Sequence, residues 1–282
     1  MKSSSVLLPT LRIKNAHERD ENLVFDEPTH KYTILTDPGS VYTSVTTFNH
    51  QHFPKFDAEK TIKNMMKGKN WNPTNKYWGK TPEEIKKLWS DNGAAVSGAG
   101  TEMHYDIECF MNQPVHNATH QALLEHFEAS PPEYVNASEE WGFFIDFVKA
   151  FPHLKPYRTE WMIYDEDLKL AGSIDMVYED VETGELSIFD WKRAKDITKT
   201  NSWNKSAITE CIQHLPDSNF WHYSLQLNNY KAILETKYGK KVNDLYLVRL
   251  HPDNPRKTYE LIKCADLSKE VSDLFALRKS QL

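Results

Sequence analysis

Cysteine is scarce in this chain, and its three residues, Cys109, Cys211 and Cys264, lie far apart with no C-x-x-C spacing. That excludes a disulfide framework or a thiolate metal cage and fits a reducing compartment. Long apolar runs are missing as well. None approaches the roughly 20 residues that cross a bilayer, and Val6, Leu7 and Leu8 are too few for the apolar core of a secretory signal. An intracellular protein with no membrane partner is expected. Nor is there an excess of positive charge: a net charge of −6 and a pI near 6.1 exclude a protein that binds nucleic acid over its whole surface. Any such contact must be local. No internal repeat, low-complexity tract or clear linker interrupts the 282 residues, enough for one large domain or a catalytic core with a smaller lobe.

What is present is periodicity that changes along the chain. Residues 23–48 alternate apolar and polar side chains around Pro28 and the Asp37-Pro38-Gly39 turn signal, which predicts a β-hairpin. Helical spacing follows at 57–67, at 81–89 behind Thr81 and Pro82, and at 101–112. An aromatic-rich amphipathic helix is predicted at 138–151, stopped by Pro152. Strands are then predicted at 157–164, 170–179 and 186–192, with turns short enough for an antiparallel meander. A helix at 223–238, a strand at 244–250 and a terminal helix from Asp266 complete the pattern. The order predicts an α+β or mixed α/β fold.

Chemistry concentrates in the meander. Asp190 and Lys192 are two apart on one strand, so a carboxylate and an ammonium share a face while Trp191 points the other way. Burying both groups in the segment Ile188-Phe189-Asp190-Trp191-Lys192 is costly unless something binds there. Asp175, in the apolar neighbouring strand after Gly172-Ser173-Ile174, brings a second carboxylate. Two close carboxylates repel unless a cation lies between them, and oxygen ligands favour Mg²⁺ or Mn²⁺.

Gly172-Ser173-Ile174-Asp175, followed fifteen positions on by Asp190-Trp191-Lys192, resembles the D…(D/E)-x-K signature of the PD-(D/E)XK nucleases. Gln226 and Tyr230 match the Q-x-x-x-Y element of the RecB-like and lambda-exonuclease-like branch, and Gly100 with His104 match its G-x-x-x-H element. Ser44-Val45-Thr46-Thr47 resembles the N-terminal segment of phage and large-virus members, whereas Ile174 stands where the literal motif has proline. The resemblance implies a restriction-endonuclease-like core, a central mixed sheet flanked by helices at residues 100–265. It also implies a mainly helical N-terminal region at 1–99 as a nucleic-acid lobe, and a C-terminal helix at 266–282.

It further implies a nuclease acting on DNA, single-stranded or at duplex ends, as an exonuclease or end-processing enzyme that leaves 5′-phosphates. The metal ligands would be His104, Asp175, Asp190 and the main-chain carbonyl of Trp191. Lys192 would orient or deprotonate the attacking water and stabilise the charged transition state. Glu160 would contact a second metal or hold a ligating water. Gln226 and Tyr230 would steady the site or touch the backbone of the strand being cut. Ser44, Thr46 and Thr47 would hold a terminal phosphate. Arg193 and Lys195, with Lys199, Lys205 and Trp203, would line a groove for a single strand. Members with an iron–sulfur cluster use four cysteines, so none is expected with three.

Other readings stay open at this point. Asp175, Asp190 and Lys192 also read as a structural ion pair across adjacent strands, and, separately, the chain as a nucleic-acid-binding or scaffold module that kept the fold but lost turnover. A hydrolase using paired carboxylates without metal is disfavoured by Lys192 and His104. DNA against RNA, exo against endo action, cleavage polarity and oligomeric state are not legible from these residues.

Overall fold

The computed structural model describes residues 10–201 and 204–282, so Trp203 of the expected strand groove lies outside the described residues. Contacts divide the chain into two compact units, Met1–Pro54 with Met103–Leu282, and Lys55–Glu102.

The larger unit starts with α1 (Thr10–Lys14), a 3-10 turn and the antiparallel hairpin β1 (Leu23–Asp26) and β2 (Lys31–Ile34). The hairpin is shorter than the alternation over 23–48 suggested. Asp37-Pro38-Gly39 lies beyond it and leads to the two-residue strand β3 (Thr43–Ser44) and helix α2 (Val45–Gln51). Val45, Thr46 and Thr47 favour strands by propensity, yet tertiary context wins. Ser44 Oγ accepts a hydrogen bond from the Thr47 amide at 3.0 Å, and Val45, Phe48 and Asn49 are buried at helical spacing.

The smaller unit contains α3 (Ala58–Lys67), capped by Asp57, and the first turns of α4 (Pro82–Met111). Its apolar centre includes Ile62 and Ile85. Where the sequence suggested two helices, α4 runs unbroken for 30 residues through Gly93, Gly98 and Gly100.

From Met103 onward the larger unit adds α5 (His120–Ala129), α6 (Glu139–Ala150), β4 (Lys155–Asp165), β5 (Leu170–Glu179) and β6 (Leu186–Lys192). Helix α7 (Asn219–Lys237), β7 (Val242–Arg249), β8 (Glu260–Lys263) and α8 (Ser268–Gln281) complete it. The six-stranded sheet runs β3-β5-β6-β7-β8, with β4 also paired to β5. It is mixed: β3–β5 and β6–β7 are parallel, while β4–β5, β5–β6 and β7–β8 are antiparallel. This is a mixed α/β fold with helices on both faces.

On one face Phe110, Leu123, Phe144 and Phe147 pack against Tyr178, Phe189 and Trp191. On the other, Leu227, Tyr230, Ile233 and Leu234 of α7 cover Ile174, Ile188 and Leu247. Large aromatic and branched side chains removed from water on both faces supply the dominant stabilisation. Strand β3 hydrogen-bonds into the main sheet beside Leu170 and Ala171, and Leu274 of α8 is buried in one core with Phe48 and Leu225, so β3 and α8 both belong to the larger unit. None of the described helices is long and apolar enough to cross a membrane.

Candidate metal and catalytic site

The site is made by two strands that part. Strands β5 and β6 pair from Glu179↔Leu186 to Met176↔Phe189, and the ladder stops there, while β6 continues beside β7 as far as Lys192↔Arg249. Asp175 and Asp190 are the next residues on the two strands, so they face each other across the fork. In place of a main-chain carbonyl, the Asp175 carboxylate takes the next ladder hydrogen bond, from the Trp191 amide at 3.0 Å.

Glu160 approaches from β4. The register around it, Thr159↔Met176 and Trp161↔Ile174, puts it opposite Asp175, and its φ of 41° lies in the left-handed region. A non-glycine residue in that region costs on the order of 1–3 kcal/mol, which the paired flanks sustain. Its Oε2 accepts a hydrogen bond of 2.9 Å from Ser173 Oγ, a contact sequence reasoning did not anticipate.

His104 reaches in from α4. Its Nε2 is 2.9 Å from the Trp191 carbonyl oxygen, and its Nδ1 lies 3.6 Å from Asp175 Oδ2 and 3.8 Å from Glu160 Oε1. Burial alone would push the imidazolium pKa down, but Asp175 and Glu160 outweigh it and raise it to about 9. A protonated ring donates from Nε2 to the Trp191 carbonyl and turns Nδ1 toward the acids. The sequence had placed that carbonyl among the metal ligands; here it accepts from His104.

One ligand atom from each of His104, Glu160 and Asp175 lies within 4.8 Å of the other two, close enough for one ion to be shared. Two carboxylates and an imidazole are a donor set able to hold a divalent cation. The charge balance fits a cation too. Burial, then Asp175, raises the Asp190 carboxyl to about 6, and burial raises that of Asp175. Asp190 is 2 % exposed, and its Oδ2 has no aligned hydrogen-bond donor; the Lys192 ammonium lies 2.5 Å away as an ion partner. Asp190 thus grips Lys192 and stands outside the three-residue cluster.

Lys192 is half-buried, with its ammonium 4.8 Å from the centre of the Tyr223 ring, a second neighbour that sequence reasoning missed. Burial lowers its pKa, but Asp190 and Asp175 more than reverse this, keeping the ammonium charged. Trp191 turns away, buried against Phe144 and Phe147 as strand alternation requires.

Gln226 and Tyr230 meet as their spacing suggested, with Gln226 Nε2 donating to the Tyr230 hydroxyl at 3.1 Å. Tyr230 is 3 % exposed, buried against the core under α7. Its ring lies over Gly172, where an added Cβ would come 2.7 Å from Tyr230 Cε1. Glycine at 172 therefore lets α7 dock on β5 beside the acids.

The outlying candidates do not converge on this cluster. Ser44 spends its hydroxyl capping α2 and hydrogen-bonding Thr47 Oγ1, while Thr46 and Thr47 are exposed. Arg193 is tied to Glu140 at 2.6 Å, and Lys195 is 3.4 Å from Asp253, so acids already engage the cations closest to Lys192 in sequence. Glu108, one turn beyond His104, reads from the sequence as a supporting or surface residue. It lines a cavity of about 160 Å³ with Glu160, Arg158 and Asn112, and burial with the Glu160 charge pushes its carboxyl up to about 7. Its i,i+4 spacing from His104 was the available signal.

No protein-family model and no curated protein matches the sequence.

Proposed function

We propose that this protein is a Mg²⁺- or Mn²⁺-dependent nuclease of the PD-(D/E)XK type, with a restriction-endonuclease-like core, that hydrolyses phosphodiester bonds at DNA ends and leaves 5′-phosphates. One observation carries the reading. At the fork of β5 and β6, His104, Glu160 and Asp175 converge, and the Lys192 ammonium, paired with Asp190, is near enough to act electrostatically on His104 and Asp175.

His104, Glu160 and Asp175 would hold the ion, with Asp190 beside it. When bound, a divalent cation neutralises charge on a phosphate oxygen and lowers the pKa of a coordinated water. The chain's own groups do the rest. Asp190 fixes the Lys192 ammonium, which as a charged donor hydrogen-bonds a phosphate oxygen as negative charge builds on it. The Trp191 amide and Ser173 hydroxyl each hold one carboxylate oxygen, of Asp175 and Glu160, and so orient the acids before substrate arrives. Tyr230 on Gly172 keeps α7, and with it Tyr223 beside Lys192, in register with the strands.

The test is incubation of the protein with end-labelled linear DNA and with circular DNA, single- and double-stranded, in Mg²⁺ or Mn²⁺. Mononucleotides from linear DNA with circles left intact support the reading. Nicked circles would replace end action with endonuclease action, and intact DNA with both metals would overturn the proposal.

A further inference from the structure

The smaller unit carries the charge that the chain as a whole lacks. Between residues 55 and 80 there are seven lysines, Lys55, Lys60, Lys63, Lys67, Lys69, Lys76 and Lys80, against two acids, Asp57 and Glu59, within a chain of net charge −6. Both acids are already engaged. Asp57 caps α3 through the Lys60 amide at 2.9 Å, and Glu59 pairs with Lys86 at 2.7 Å. All seven lysines are exposed, and none has an ion-pair partner among the described residues. On α3, Lys60, Lys63 and Lys67 stand at i, i+3 and i+7, which aligns three ammonium groups along one stripe, about 5.4 Å per turn. Ile62, Met65 and Met66 take the partly or fully buried positions.

Aromatic rings occupy the same unit. Trp71 and Trp78 are 5.5 Å apart, Phe56 and Tyr77 each contact Trp89, and Phe56 and Trp78 are 71 % and 46 % exposed. Over the whole unit nine lysines stand against six acids, and large rings left in water beside this excess of cations match what an unpaired nucleic-acid strand offers, phosphates at regular intervals and bases with free faces. A duplex hides those faces.

We infer that the Lys55–Glu102 unit is a binding surface for single-stranded nucleic acid, with Lys60, Lys63 and Lys67 on the phosphates and Trp71 and Trp78 stacking on bases. The choice of a nucleic-acid partner rests on the nuclease reading; the strand preference rests on the exposed rings.

The test is fluorescence-anisotropy titration of labelled oligo(dT) and of a blunt duplex with the full chain, in EDTA, across a salt series. The expected result is tighter binding of oligo(dT), a slope of log K against log[salt] that shrinks by about 2 in K60A/K63A/K67A, since each strand phosphate contributes about 0.7, and roughly tenfold weaker binding in W78A, as loss of a stacked base predicts. Hydrolysis of bis(p-nitrophenyl) phosphate with Mn²⁺ should be unchanged in both variants, which also shows that they fold. No binding of oligo(dT), a salt slope untouched by the lysine substitutions, or equal affinity for duplex would overturn the inference. Strand binding that needs these residues in a protein without phosphodiesterase activity would leave the surface standing and sink only the nuclease reading.

Discussion

Glu160 and Asp175 face each other across the β4–β5 ladder, paired residues on either side of them, and the backbone at Glu160 is turned into the left-handed region. Strain in mid-strand and a close pair of acids coincide at one point, and His104 Nδ1 lies between 3.6 and 3.8 Å from both. Such strain persists only where its surroundings over-determine it, and it gathers at functional positions.

Two substitutions at this position should therefore separate conformation from charge. Glu160→Gly removes the left-handed penalty and should raise metal-free stability by about 1 kcal/mol, whereas Glu160→Gln keeps the strain and loses only the charge. Both should weaken Mn²⁺ binding measured by calorimetry. Undiminished Mn²⁺ affinity in Glu160→Gln would remove Glu160 from the ligand set.

Asp175→Asn keeps an oxygen to accept from the Trp191 amide. Because burial raises the Asp175 carboxyl above its ordinary value, its charged form opposes folding at pH 8, and the neutral amide should raise the metal-free Tm by about 2–4 °C. Cleavage should fall about 10³-fold, and the His104 imidazole, no longer facing that charge, should titrate below 9 in an NMR pH series. A lower Tm together with unchanged His104 titration would contradict this.

Gly172→Ala sets a Cβ against the Tyr230 ring and should cost about 1–3 kcal/mol. Tyr230→Leu on its own loses ring packing, but the double variant should be more stable than the two separate losses predict, because the smaller side chain relieves the clash. Additive losses in urea denaturation would show that the two residues do not press on each other.

His120 supplies a pH dependence away from the site. It is fully buried, its Nε2 2.8 Å from the Tyr178 hydroxyl, and burial lowers its pKa to about 3. The unfolded chain takes up a proton near the ordinary value of 6.5 and the folded one does not. The stability is thus fully present above pH 6.5 and lost as pH falls from there toward 3, at up to about 1.4 kcal/mol per pH unit. Urea midpoints measured in EDTA between pH 7 and pH 4 should fall less steeply in His120→Gln than in the parent. Parallel profiles would mean that His120 is protonated in the folded state.

The acids and lysine of the meander were legible because strand alternation is short-range: Asp190 and Lys192 on one face and Trp191 on the other follow from a period of two. Asp175 and Asp190 could be paired from the two predicted strands, and the helix bearing Gln226 and Tyr230 from its spacing. The parting of β5 and β6 was not legible, since no local pattern marks where a ladder ends. With it went the detail of the cluster: that Asp190 has Lys192 as its nearest partner and that an unusual backbone angle aims Glu160 are consequences of tertiary geometry. The β-branched run at 45–47 misled for another reason: the Ser44 cap and the burial of Phe48 decide its conformation. Strand β8 and helix α5 were too short or too irregular in pattern to register.

Asp175 fills the position of an absent strand neighbour, receiving the Trp191 amide where the ladder has ended. One carboxylate is therefore both a seam in the sheet and a member of the His104–Glu160–Asp175 cluster. Deleting it with alanine would unfasten two strands while emptying the site, so an alanine scan would overstate its chemical worth. Isosteric replacement is the fair measure at this position, and the gap between the alanine and asparagine variants reports how much of the scaffold's order is borrowed from the chemistry.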